Sequence, residues 1–262
     1  MEKDVANIMD CSEHYGIGGS PNNKDDEKFL QGKKTFVSDI YLPGMVHAEF
    51  VRSIHAHAKI INIDCEQAKK MEGVLTILTG QDVIKDSLGS IKPFAVLKRR
   101  DGSNMYIPEN PPLTYDKAVF VGDPVAVVVA KTRNQALNAS EAILVEYEEL
   151  DAVVSIDKAL KVEAPIVWPE NGTNECFFWS KGDSNSVISD IEKSDCTVSA
   201  QFNIPLATAN PIEPRGCVAS YDKKVGSYHL IAPVQSPWKV RQIIANQSLK
   251  VREEKLSVSC PD

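Results

Sequence analysis

The stretch Val125–Tyr147 reads VAVVVAKTRNQALNASEAILVEY. Its first six residues are a continuous apolar run of strand length, too short to cross a membrane. Thr132–Ala142 (TRNQALNASEA) then sets Ala136, Ala139 and Ala142 along one side of a helix. Ile143–Tyr147 returns to strand chemistry. Strand, helix and strand in this order predict a β-α-β unit, and such units build a mixed sheet with helices packed on it.

Outward from this unit the same alternation continues. Met45–Ser53 is strand-like and is introduced by the turn pair Pro43-Gly44. Ala58–Asp64 (AKIINID) is a second strand and Val74–Thr79 (VLTILT) a third. Cys65–Met71 forms one or two helical turns between them, closed by Glu72-Gly73. Residues 84–118 carry four prolines and are expected to run irregularly over the surface. Residues 158–195 are expected to form a connector. Beyond it, Thr197–Ile204, Cys217–Tyr221, Tyr228–Pro233 and Leu256–Cys260 are strand-like, and Lys239–Leu249 is helical. Residues 1–27 are polar, carry three closely spaced glycines, and are expected to form a flexible N-terminal arm.

Composition narrows the function classes. The chain has 262 residues, 43% hydrophobic and 25% charged, which suits a globular protein with a real core. The net charge of −7 and the scattered basic residues speak against nucleic-acid binding. No apolar leader or spanning run is present, so a cytoplasmic location is expected. The six cysteines are widely separated. That spacing speaks against structural zinc or iron–sulfur sites and predicts reduced thiols, several of them buried.

Three features could carry chemistry. His55 and His57 lie two residues apart in IHAHAKI, which on a strand places both rings on one face. A metal needs three or four donors, and no third ligand is near in sequence, so packing and hydrogen bonding are expected instead. Glu213-Pro214-Arg215-Gly216 sets a carboxylate and a guanidinium around a bend. It reads either as a ligand-facing corner or as an ion pair fixing a turn, and spacing favours the second. Gln235 lies in VQSPW, after a strand and before a helix. Such turns often line ligand sites in α/β proteins, and equally often are plain helix starts with proline at the first position.

Several stretches, taken in order, resemble the molybdopterin-binding large subunit of the xanthine dehydrogenase/aldehyde oxidase family, in its aerobic carbon monoxide dehydrogenase-type branch. They are Asp39–Ala48 (DIYLPGMVHA), Val51–Ile60, Gly73-Val74, Thr79-Gly80-Gln81-Asp82, Val121–Ala126 (VGDPVA), Val145–Leu150 (VEYEEL) and Glu213–Gly216. The resemblance implies an α+β chain: an α/β hammerhead domain over 28–155, a linker at 156–167, and the first part of a mixed α/β molybdopterin-binding domain over 168–262. It implies that Gln235 lies beside the molybdenum centre and donates a hydrogen bond to an oxygen ligand of the metal, serving both catalysis and cofactor binding. No residue of this chain is expected to ligate the metal.

The resemblance further implies oxidation of carbon monoxide, an aldehyde or an N-heterocycle, with oxygen drawn from water. The implied cofactor is a molybdopterin-type molybdenum cofactor, as the cytosine dinucleotide, in the complete assembly; this chain alone need not hold it. FAD is expected on a medium subunit and 2Fe-2S clusters on a small one. The family's glycine-rich segment and its late catalytic glutamate have no counterpart in this sequence. The remaining molybdopterin-binding chain is therefore an expected partner, and the single chain is expected to be inactive. A non-catalytic remnant or assembly module of the same family is the alternative.

Overall fold

A computed structural model describes Ile17, residues 25–205 and residues 207–261. Most of the expected arm, with His14 and Cys11, lies outside the described residues. The chain then runs through α1 (Asp26–Leu30), β1 (His47–Arg52), β2 (Ala58–Asp64), α2 (Glu66–Lys69), β3 (Val74–Thr79), α3 (Gly80–Lys85), β4 (Lys117–Ala118), β5 (Pro124–Ala130), α4 (Arg133–Glu141) and β6 (Leu144–Glu149). Further along come α5 (Ile156–Ala159), α6 (Ser184–Glu192), β7 (Val218–Asp222), β8 (Ser227–Ile231), α7 (Pro237–Ile243), a π-helical turn at Ile244–Leu249, and β9 (Leu256–Ser259).

The first half forms two antiparallel three-stranded sheets, in the orders β1-β5-β3 and β4-β2-β6. This corrects the β-α-β reading of residues 125–147. β5 and β6 flank α4 in sequence but belong to different sheets. Both edges of β5 are already paired, with β1 and β3, so β6 has no place beside it. β6 instead pairs with β2, where Lys59 Nζ meets Glu148 Oε1 at 3.0 Å across the strands.

The core of this half is where α4 lies on the first sheet. Thr132 caps the helix, its side-chain oxygen accepting from Gln135 N. Ala136 and Ala139 face inward and are small enough to bring the helix close. Val128 of β5, Cys65, Ala68, Ala139 and Ile143 form the buried cluster. Ile63 and Val145, from the second sheet, pack against it, so one cluster ties the two sheets together. Burying a side chain such as Val128 contributes about 1.5–3 kcal/mol.

The second half holds a parallel crossover. β7 and β8 form an antiparallel hairpin that turns at Gly226, whose φ of +66° suits glycine. β8 and β9 then pair in parallel, with α7 and the π-helical turn between them. α6 emerges inside the expected connector, capped by Asp183, which accepts from Ser186 N at 3.1 Å. Residues 197–204, expected as a strand, form no ladder.

Candidate functional site

Gln235 sits in the turn between β8 and α7. Ala232 N donates to Ser259 O at 3.0 Å, so the parallel pairing reaches the base of the turn. Pro237 then starts the helix with the φ it needs and no wasted donor. The Gln235 side chain is exposed and makes no hydrogen bond among the described residues, so its amide is free to donate. Beside it, the Ser236 hydroxyl is buried without a partner. Such orphans are rare in a finished structure.

The helix behind Gln235 is held by the first half of the chain. Gly89 N donates to Ser248 O at 2.8 Å, Lys92 N to Gln247 Oε1 at 2.7 Å, and Lys250 Nζ to Ser87 O at 2.7 Å. Any side chain on Gly89 would collide with the Gln247 carbonyl oxygen. Lys250 itself adopts a left-handed conformation, φ 54°, and ends the π-helical turn. The irregular 84–118 excursion therefore clasps the helix that Gln235 introduces.

The other sequence candidates go elsewhere. Glu213 Oε1 accepts from Val37 N at 3.0 Å, and Gly216 packs near the Val37 side chain. Glu213 is thus a tether between two distant segments. Arg215 is exposed, and among the described residues it forms no ion pair, so the charge pair expected at that bend is not made. Neither residue is hydrogen-bonded to Gln235.

The histidines are not on a strand. They occupy the loop between β1 and β2. His55 Nδ1 lies 3.1 Å from Glu149 Oε1, and its ring meets Tyr147 edge-on at 4.9 Å. His57 is 8% exposed, with Nδ1 2.8 Å from the Asp151 carbonyl oxygen. That carbonyl can only accept, so Nδ1 carries the proton and the buried Nε2 is left without a partner. The two rings are spent on separate partners, which is a packing and hydrogen-bonding role.

A cleft that sequence reasoning misses opens beside His57. It has a volume of about 750 Å³ and is lined by His57, Tyr106, Lys117, Phe120, Trp168 and Glu170 among others. Tyr106 Oη donates to Glu170 Oε1 at 2.7 Å. That bond pushes the Tyr106 hydroxyl pKa up to about 12 and lowers that of the Glu170 carboxyl. Lys117 Nζ donates to Val167 O at 2.6 Å. The cleft joins His57 to Trp168 and Glu170, which are far apart in the chain, and no local pattern announces it.

Among the described residues, the expected burial of several cysteines holds for one. Cys65 is buried, and burial raises its thiol pKa; Cys176 is half-buried, and Cys196, Cys217 and Cys260 are exposed.

Two antiparallel three-stranded sheets followed by a parallel crossover can be compared with known proteins. Residues 31–151 match the family model "Aldehyde oxidase and xanthine dehydrogenase, a/b hammerhead domain", and residues 167–262 match "Molybdopterin cofactor-binding domain". The carbon monoxide dehydrogenase large chain of Afipia carboxidovorans is 32% identical over 259 residues, covering 94% of this chain and 30% of that relative. The nicotine 6-hydroxylase large subunit of Paenarthrobacter nicotinovorans is 30% identical over 248 residues, covering 94% of this chain and 29% of that relative. Among solved structures, quinoline 2-oxidoreductase from Pseudomonas putida 86 superposes with a TM-score of 0.79 at 32% identity, over 93% of this chain and 30% of that one. The chain belongs to the xanthine dehydrogenase/aldehyde oxidase family and corresponds to the N-terminal part of its large subunits. It spans about 30% of the length of the curated relatives it matches. No helix among the described residues is long and apolar enough to cross a membrane.

Proposed function

We propose that this chain is the N-terminal part of the large subunit of a molybdenum hydroxylase and needs further polypeptide for activity. The observation that carries this reading is its surface. The chain exposes 20396 Å². A compact monomer of this size exposes about 11,000 Å². Even an allowance of about 4,000 Å² for the undescribed residues, taken at the unfolded-chain rate, leaves an excess of about 5,000 Å². A surplus of that size is at least the roughly 1,000–2,500 Å² that each partner contributes to an obligate interface.

In this reading residues 28–155 are the hammerhead domain, 156–167 the linker and 168–262 the partial cofactor-binding domain. The β8–α7 turn suits the molybdenum cofactor: it offers a neutral amide free to donate, and beside it a buried hydroxyl still lacking a partner. The cofactor supplies the two-electron oxidation of a small substrate, with water as the oxygen source. Gln235 would hold the bound group by donating its side-chain amide N–H, and would add no charge in doing so. The clasp from residues 87–92 keeps the following helix, and so the amide, in place. The exposed turn gains its dry environment from the completing chain.

The substrate class is carbon monoxide, an aldehyde or an N-heterocycle. The cofactor is carried as the cytosine dinucleotide, FAD and 2Fe-2S clusters sit on partner subunits, and the assembly is cytoplasmic. The test is molybdenum content and dye reduction with each substrate class, for the single chain and for the chain co-expressed with the remainder of a family large subunit. The single chain is expected to be inactive. In the complex, Gln235→Ala is expected to lower kcat while molybdenum content is kept. Turnover by the single chain would overturn the proposal.

A further inference from the structure

Residues 197–204 differ from everything around them. They belong to no strand or helix. The last backbone hydrogen bond before them runs from Ser194 N to Ile191 O, and among the described residues none is made by 197–204 themselves. Yet Val198, Ala200, Phe202 and Ile204 alternate with Thr197, Ser199, Gln201 and Asn203, the pattern of a strand with one buried face. Val198 is 88% exposed, Phe202 86% and Ile204 89%. A strand-patterned segment with its apolar face in water and its backbone donors and acceptors unpaired is an incomplete element.

We propose that residues 197–204 are a β-strand that forms only when a strand of the completing large-subunit polypeptide pairs with it. The inference rests on the function proposed above and names where the completing chain engages. The occupant is a polypeptide strand because two needs must be met together. The backbone groups require a ladder, and the period-two face requires an apolar surface. The completing chain is the one argued for above: this protein covers only 30% of its carbon monoxide dehydrogenase relative, and its exposed surface exceeds that of a compact monomer. Ser199, Gln201 and Asn203 stay on the polar side, so the new strand keeps one face toward solvent.

The test co-expresses the protein with the part of the Afipia carboxidovorans carbon monoxide dehydrogenase large chain that lies beyond the matched segment. Affinity capture measures the complex, and hydrogen exchange reads residues 197–204 with and without it. In the complex, exchange over 197–204 is expected to slow by about a hundredfold or more, as for a paired strand. The double variant Val198→Asp with Phe202→Asp is expected to weaken capture by about a hundredfold, since each apolar side chain is worth about tenfold. Ser199→Asp with Asn203→Asp is expected to weaken it by less than about threefold. Both variants leave the melting of the isolated chain unchanged, because the segment is exposed there. Capture with exchange at 197–204 as fast as in the single chain overturns this inference alone. No capture of the wild-type chain overturns the proposed function and this inference with it.

Discussion

β5 and the segment 197–204 have similar lengths and both carry β-branched, apolar side chains, yet one is the centre of a sheet and the other is not a strand at all. β5 is paired on both edges and covered by α4, and Val125, Ala126, Val128 and Ala130 are fully buried. The segment 197–204 has no paired edge and no cover among the described residues. Strand propensity is a preference for a pleated, half-buried surface, and it is realised only where neighbours supply that surface. The contrast separates a part of the molecule that completes its own core from a segment left without a partner among the described residues.

The largest effect that can break this comparison is in β5. Val128→Asp buries a charge in the cluster of Cys65, Ala68, Ala139 and Ile143, and is expected to cost more than about 4 kcal/mol. Loss of a cooperative thermal transition is the readout. Phe202→Asp in the single chain is the matched control and is expected to shift stability by less than about 0.5 kcal/mol. A similar loss at both positions would show that 197–204 is packed in the single chain after all.

A smaller effect tests the clasp between the halves. Gly89→Ala drives a methyl into the Gln247 carbonyl oxygen and is expected to cost about 1–3 kcal/mol. Urea denaturation measures it, and faster hydrogen exchange over 244–250 is expected alongside. Unchanged exchange there would mean that the clasp does not hold the helix behind Gln235.

Smaller again is the cap of α4. Thr132→Ala removes the acceptor for Gln135 N and is expected to cost about 1 kcal/mol by denaturant titration. Last, Tyr106 is expected to titrate near 12, because its hydrogen bond to Glu170 favours the neutral phenol. The sign follows: that stabilisation is fully present below the ordinary tyrosine range and fades as pH rises through 12. Spectroscopic titration of Glu170→Gln against the parent is the check, with the tyrosine moving back toward 10. No movement would show that the pair is not formed in solution.

Much of the local structure is legible in the chain. The runs that form β1, β2, β3, β5 and β8 carry apolar periodicity, and Thr132 marks the start of α4. Sequence reading misses α3 and α6, although each has a start signal. Asp82 caps the start of α3, its Oδ2 accepting from Thr79 N at 2.8 Å and from the Thr79 hydroxyl at 3.2 Å. α6 follows Lys181-Gly182-Asp183, which reads as a turn and also supplies the cap. Its Ser184-Asn185-Ser186 opening has weak helix propensity, which hides it.

Local pattern alone carries the class of elements and the family, because periodicity and short ordered motifs are properties of neighbouring residues. It also singles out Gln235 as a candidate, through its place between a strand and a proline-led helix. Which strands share a sheet is a different matter, settled by long-range pairing. β5 and β6 part company because β1 and β3 occupy both edges of β5, and the parallel crossover falls instead between β8 and β9. The cleft beside His57 and the clasp at Gly89 are likewise invisible in the sequence. Both are made by segments far apart in the chain, and a contact of that kind leaves no local pattern because each side satisfies its own local geometry before the two meet.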